Sequence, residues 1–267
     1  MYDSLNNKII SNLSTKNSKF LLSIVIPTFN RQNELIQLLD QLTIELVGVQ
    51  NEVEVLVSNN NSCDQTWRVL QEYMASKTDK LAIRCFTQAS NIGAPMNLHF
   101  LIKHCRAKYT WAMGDDDLLV SGRLHEIVGL LHTNSVGLLL IRADGVGEWD
   151  RILSRPIENC NAHLRKVNLH DENSADYLFA GGFLGSVIIN TNTWKNVLPQ
   201  VEELHETCYA NWAAVLKVAT MEGEYYVIDE PCVKGNFNMR GECLIPGFGV
   251  LIAGRLKIWS TFTGEPI

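Results

Sequence analysis

Lys108 to Leu119 reads KYTWAMGDDDLL: a segment of strand character runs straight into Gly114 and the three aspartates Asp115, Asp116 and Asp117. Adjacent carboxylates repel one another and need solvent or a cation to balance them. Apolar residues flank this triplet on both sides. Hard oxygen ligands on a tight loop suit Mg2+ or Mn2+, which takes one or two carboxylates and completes its shell with phosphate and water. The plainer alternative is a solvated acidic turn that caps the helix after Ser121. The rest of the first half weighs on this choice.

Working back from the triplet, strand and helix patterns alternate. Leu21 to Ile26 (LLSIVI) is a continuous apolar run of strand length ended by Pro27, as expected of a strand buried on both faces. Arg31 to Val47 repeats apolar residues at Leu35, Leu38, Leu39, Leu42 and Leu46, a helical period. Val53 to Val57 (VEVLV) is a second strand, and Asp64 is placed to cap a helix through Trp67, Leu70 and Met74. Leu81 to Phe86 is a third strand, followed by a helix from Ala94 with Pro95 in its first turn. This alternation predicts an α/β fold, with a mostly parallel sheet and helices on both faces. Ligands bind beyond the carboxyl ends of such strands. Those ends here carry Thr28-Phe29-Asn30-Arg31, Ser58-Asn59-Asn60-Asn61, Asn91-Ile92-Gly93 and the aspartate triplet. Four polar ends on one edge favour a metal and phosphate site over a solvated turn.

The second half is less regular. A helix is expected over Arg123–His132, strands over Val136–Ile141, Phe183–Ile189 and Tyr225–Ile228, a helix over Tyr209–Ala219, and a closing helix over 250–262. Residues 1–20 are polar and read as a loose leader. Residues 21–267 are expected to form one domain, with a nucleotide-binding half to 130 and an acceptor-binding half from 131. No stretch is long and apolar enough for a membrane span, which takes about twenty residues, and no signal-peptide pattern opens the chain. That favours a cytoplasmic protein. The run at 243–254 could dock on the core or lie at the inner membrane surface.

Composition narrows the classes further. The 267 residues carry 23 basic and 29 acidic side chains, a net charge of −6. That balance, without any Lys/Arg run, disfavours nucleic acid as a partner. Seven cysteines without CxxC spacing point to reduced thiols rather than a disulfide framework or a zinc site. No GxGxxG follows the first strand, which counts against an oxidoreductase.

In order and spacing, SIVIPTFNR (23–31), VEVLVSNNNSCDQT (53–66), NIGAPMN (91–97) and YTWAMGDDDLL (109–119) resemble the GT-A fold glycosyltransferases of family 2. The resemblance covers about residues 20 to 130. The GDDDLL form also looks like bacterial surface-polysaccharide enzymes, O-antigen and capsule transferases among them. It implies a GT-A fold, a nucleotide-sugar donor, a glycan or lipid-linked saccharide acceptor, and Mn2+ or Mg2+ at an Asp-x-Asp motif. It further implies that Pro27, Thr28, Phe29, Asn30 and Arg31 line the nucleotide pocket. Asn91 and Gly93 would approach the ribose or diphosphate, Asp115 would lie near ribose and sugar, and Asp116 or Asp117 would hold the metal. Asn59 stands where the family usually has a base-recognising Asp. An amide both donates and accepts, so this exchange would admit a CDP-sugar beside UDP- and dTDP-sugars, unless Asn59 only braces its loop.

An inverting enzyme of this kind needs a general base. The family's Glu-Asp pair is missing, and His205 and Glu206, ahead of the helix bearing Trp212, are the nearest candidates. Tyr177, Phe183, Trp194, Tyr209 and Trp212 are either an acceptor platform or core, the core reading being favoured. Lys234 and Arg240 are candidates for a loop over the diphosphate. Two other readings stay open: a non-catalytic nucleotide- or glycan-binding relative, and a nucleotidyltransferase. PTFNR in place of a Gly-rich loop counts against the latter.

Overall fold

In a computed structural model of the chain, residues 8–11, 19–76, 81–145, 164–171, 174–204 and 210–235 are described. Their centre is a mixed, mostly parallel sheet. Four strands from the first half run parallel in the order β4 (Ala82–Thr87), β3 (Val53–Asn59), β2 (Leu22–Thr28) and β5 (Tyr109–Ala112). Between them come α1 (Gln32–Glu45), α2 (Thr66–Ser76) and α3 (Ala94–His104). Thr28, Asn59 and Thr87 sit side by side in the β2–β3–β4 register, so the polar strand ends do share one edge.

Beyond β5 the sheet changes direction. β9 (Val187–Asn190) runs antiparallel between β5 and β7 (Leu138–Gly145), and β10 (Glu224–Gly235) lies parallel to β7. β6 (Leu118–Leu119) and β8 (Arg165–Asn168) pair antiparallel with β10. The remaining α-helices among the described residues are α4 (Arg123–Thr133), α5 (Ser174–Ala180), α6 (Thr191–Val197) and α7 (Ala210–Glu222).

The continuous apolar runs are explained by two cores, one on each face. Leu22, Ile24 and Ile26 of β2, with Val53, Val55 and Val57 of β3, pack against Leu35, Leu38, Leu39 and Leu42 of α1 and against α2 and α4. Val25 and Leu56 point the other way, into a cluster with Leu98, Leu101 and Ile102 of α3 and with α6 and α7. The alternation of strand side chains feeds both layers at once.

Several expectations are corrected. The stretch read as a leader contains β1 (Lys8–Ser11), which pairs antiparallel with β4 from Lys8–Thr87 to Ser11–Arg84. An apolar pair between polar residues gives it edge-strand character; Ile10 packs on the core and Ile9 stays exposed. The strand expected from Phe183 starts only at Val187, because Leu184–Ser186 forms a 3-10 turn whose Gly185 carbonyl accepts the buried Trp111 Nε1–H at 2.8 Å. Helix α6 was signalled by Asn190, whose side chain caps it by accepting the Asn192 and Thr193 N–H groups. Tyr177, Trp194 and Trp212 are core residues, exposed by 6%, 1% and 2%, so they offer no platform to an acceptor. The expected closing helix, the 243–254 run, Tyr209 and Arg240 lie outside the described residues. No helix among the described residues is long and apolar enough to cross a membrane.

Candidate active site

Four loops at the carboxyl edge of β2, β3, β4 and β5 are tied together by side chains. Asn30 takes a left-handed conformation (φ 54°) directly after β2. Its N–H donates to Ser62 Oγ at 2.9 Å, and its side-chain carbonyl accepts the Cys63 N–H at 2.9 Å. Asn is among the few side chains that tolerate this backbone region, and here it joins the β2 and β3 loops. Pro27 and Phe29 are half-buried, and Thr28 is buried.

Asn59 is 2% exposed. Its amide donates to Thr87 Oγ1 at 2.9 Å and its carbonyl accepts the Ser62 N–H at 3.1 Å. Both ends of the amide therefore brace the loop. Its neighbour Asn60, which sequence reasoning left without a role, connects the next loop. It donates to the Asn91 side-chain carbonyl at 2.8 Å and accepts the Ile92 N–H at 2.9 Å. Asn91 and Gly93 are thus brought to the edge, both exposed. Gly93 begins α3 with φ 82°, a conformation that favours glycine. Asn97, buried on α3, pairs twice with Ser58, donating to its carbonyl and accepting from its hydroxyl. The Ser-Asn-Asn-Asn run could have signalled such a network, but its partners lie about thirty residues away.

The triplet divides into two environments. Asp116 is half-buried and ion-paired with Arg31, whose Nη1 also lies 3.6 Å from Asp115 Oδ1. Burial pushes the Asp115 carboxyl up to about 7; the Thr28 hydroxyl and Arg31 oppose the shift, and Asp116 adds to it. Burial works against the charge on Arg31, but Asp115 and Asp116 more than offset it and raise its pKa. Asp117 lies deeper. It is 2% exposed, and its Oδ2 accepts the Gly114 N–H at 3.0 Å.

Gly185 presses on this inner carboxylate: a Cβ there would lie 2.8 Å from Asp117 Oδ2 and 2.9 Å from the Phe183 ring. Asp117 is held by Gly114 and has little room to yield. Gly185→Ala is therefore expected to cost about 1–3 kcal/mol, read as a lower urea midpoint with an unchanged m-value.

The exit of the triplet is fixed by α1. The Gln41 side chain donates to the Leu119 carbonyl and accepts the Leu119 N–H, both at 2.8 Å, and Glu45 Oε2 accepts the Gly122 N–H at 2.9 Å. Lys234 of β10 is paired in register with Leu118, so it stands beside the triplet. His205 and Glu206 lie outside the described residues.

For a divalent cation, the fit is tested by Arg31. One cationic nitrogen reaches Asp115 and Asp116 together, so the two carboxylates converge on a point where positive charge is accommodated. No group of three or more His, Cys, Asp or Glu side chains forms a metal site among the described residues. Two converging carboxylates suit an ion that draws its other ligands from substrate phosphate and water.

The mixed, mostly parallel α/β sheet carries a carboxylate pair and Asn-rich loops at its carboxyl edge, and comparison with known proteins assigns this fold to the GT-A class. The family model of glycosyl transferase family 2 matches residues 23–184, and the chain belongs to that family. Among solved structures it is similar to S. aureus TarS 1-349 in complex with UDP, with TM-score 0.63 and 18% identity over 81% of this chain and 60% of that chain. The same protein in complex with UDP-GlcNAc gives TM-score 0.64 and 16% identity over 86% and 62%. The mannosyltransferase PcManGT from Pyrobaculum calidifontis, in complex with GDP-Man and Mn2+, gives TM-score 0.58 and 16% identity over 93% and 66%. The chain thus spans about three fifths of the length of TarS 1-349. Comparison with curated proteins gives no match.

Proposed function

We propose that the chain is a metal-dependent glycosyltransferase that moves a sugar from a nucleoside-diphosphate donor to a saccharide or lipid-linked saccharide acceptor in bacterial surface-polysaccharide synthesis. The observation that carries this reading is the convergence of Asp115 and Asp116 on one cation at the carboxyl edge of the parallel strands. In this reading residues 21–130 form the donor half and 131–267 the acceptor half. The Thr28–Arg31 and Asn91–Gly93 loops receive the nucleotide. Asp116 is the proposed metal ligand, because Asp117 is engaged with Gly114 inside the protein. Mn2+ or Mg2+ would supply charge neutralisation for the leaving diphosphate. His205 or Glu206 is the proposed general base, deprotonating the acceptor hydroxyl.

Asn59 is braced at both ends of its amide, which weakens its reading as a base-recognising residue without favouring one base over another. TarS in complex with UDP and UDP-GlcNAc supports a UDP-sugar. The test is donor hydrolysis and transfer across UDP-, dTDP-, CDP- and GDP-sugars, with Mn2+ and with EDTA. UDP-sugar turnover that stops in EDTA is expected. Nucleotide binding without turnover of any donor would instead identify a binding module, and full turnover in EDTA would remove the metal.

A further inference from the structure

Arg31 stands where a divalent cation has been placed. Its Nη1 contacts Asp116 Oδ2 and lies 3.6 Å from Asp115 Oδ1. The contact joins residues 85 positions apart in sequence, from the loop after β2 to the loop after β5. Arg31 immediately precedes α1, and its side chain makes no hydrogen bond to that helix end. The side chain is one-third exposed, whereas Asp115 and Asp116 are exposed by only 10% and 14%. The carboxylates are fixed and enclosed, and the arginine has a route to solvent.

We propose that Arg31 is the resident counter-ion of the Asp115–Asp116 pair, and that it competes with the divalent cation for these carboxylates until a diphosphate draws it away. The inference rests on the metal reading above. A +1 group held on Asp116 Oδ2 repels a +2 ion that approaches the same carboxylates. Once displaced, the guanidinium offers a planar fork of donors matched to phosphate oxygens. The empty enzyme thereby keeps the charge of its enclosed acidic pair partly offset. Metal alone binds weakly, and metal with nucleotide binds cooperatively, because the nucleotide gives the displaced arginine a new partner.

The experiment is calorimetric titration of MnCl2 into the full chain without nucleotide, for wild type, Arg31→Gln, Arg31→Lys and Asp116→Asn. UDP is then titrated at saturating Mn2+. Arg31→Gln is expected to tighten Mn2+ binding by about tenfold or more, while weakening UDP by a similar factor. Arg31→Lys, which keeps the charge, should bind Mn2+ close to wild type. General damage to the fold would weaken both ligands and cannot produce opposite signs. Equal or weaker Mn2+ binding by Arg31→Gln, where wild type binds and Asp116→Asn does not, overturns the competition and spares the metal reading. Equal tightening by Arg31→Lys overturns the role of charge. If Mn2+ alone binds to none of the Arg31 forms at millimolar concentration, the competition is overturned; if UDP affinity is also the same with Mn2+ and with EDTA, the metal reading falls with it.

Discussion

Asp116→Asn is expected to lower kcat/KM for sugar transfer by about a thousandfold or more, the scale of losing the group that neutralises charge on a leaving diphosphate. The fold should survive, because Asp116→Asn keeps the size of the side chain and Arg31, one-third exposed, can turn to solvent. Asp117→Asn gives the opposite balance. Its carboxylate is enclosed and holds the Gly114 N–H, so the amide is expected to lower stability by about 1–3 kcal/mol. Any loss of turnover there follows from disorder in the loop. Measuring thermal midpoint and turnover for both variants separates the roles: Asp116→Asn moves activity with little change in midpoint, and Asp117→Asn moves the midpoint. If Asp117→Asn keeps the wild-type midpoint and loses the metal, the assignment of the two aspartates is reversed.

That division illustrates what the sequence could and could not disclose. LLSIVI, VEVLV and KYTWAM were legible as strands because burial on both faces leaves short, mostly apolar runs, with Ser23, Glu54 and Thr110 as the interior exceptions. The shared edge followed from the alternation with helices. The triplet's two environments were not legible. Which carboxylate turns inward depends on Gly114, Gly185 and a turn that brings residue 185 against residue 117. Nor could the pattern show that Arg31, 85 residues upstream, balances the other two. Asn59 was open between base recognition and bracing for the same reason, since Thr87 becomes its neighbour only once β3 and β4 pair in register. β9 was displaced from its expected start by the turn that supplies the Gly185 carbonyl to Trp111. The Arg31, Gly185 and Thr87 contacts are long-range, and periodicity carries no information about them.

The same limit applies to Glu54, whose partners the VEVLV pattern does not disclose and whose mutation is expected to have the largest effect on stability. Glu54 is fully buried. It pairs with Arg84 at 2.8 Å, and its other oxygen accepts from Ser23 Oγ at 2.6 Å and the Arg106 N–H at 2.7 Å. Arg84 also donates to the His104 carbonyl at 2.7 Å. These bonds join β2, β3, β4 and the end of α3 to the approach to β5, toward the amino ends of the strands and away from the site. Glu54→Ala leaves the Arg84 charge, the Ser23 hydroxyl and the Arg106 N–H without this partner, and is expected to cost about 3–5 kcal/mol. Urea denaturation reads this as a lower midpoint. Glu54→Leu combined with Arg84→Met removes both charges together, so the double variant should be more stable than the sum of the single changes allows, by about 1–3 kcal/mol. An additive result would show that the two side chains act independently. Because the pair stands apart from Asp115 and Asp116, the folded fraction of the double variant should keep its nucleotide affinity, so that only stability moves.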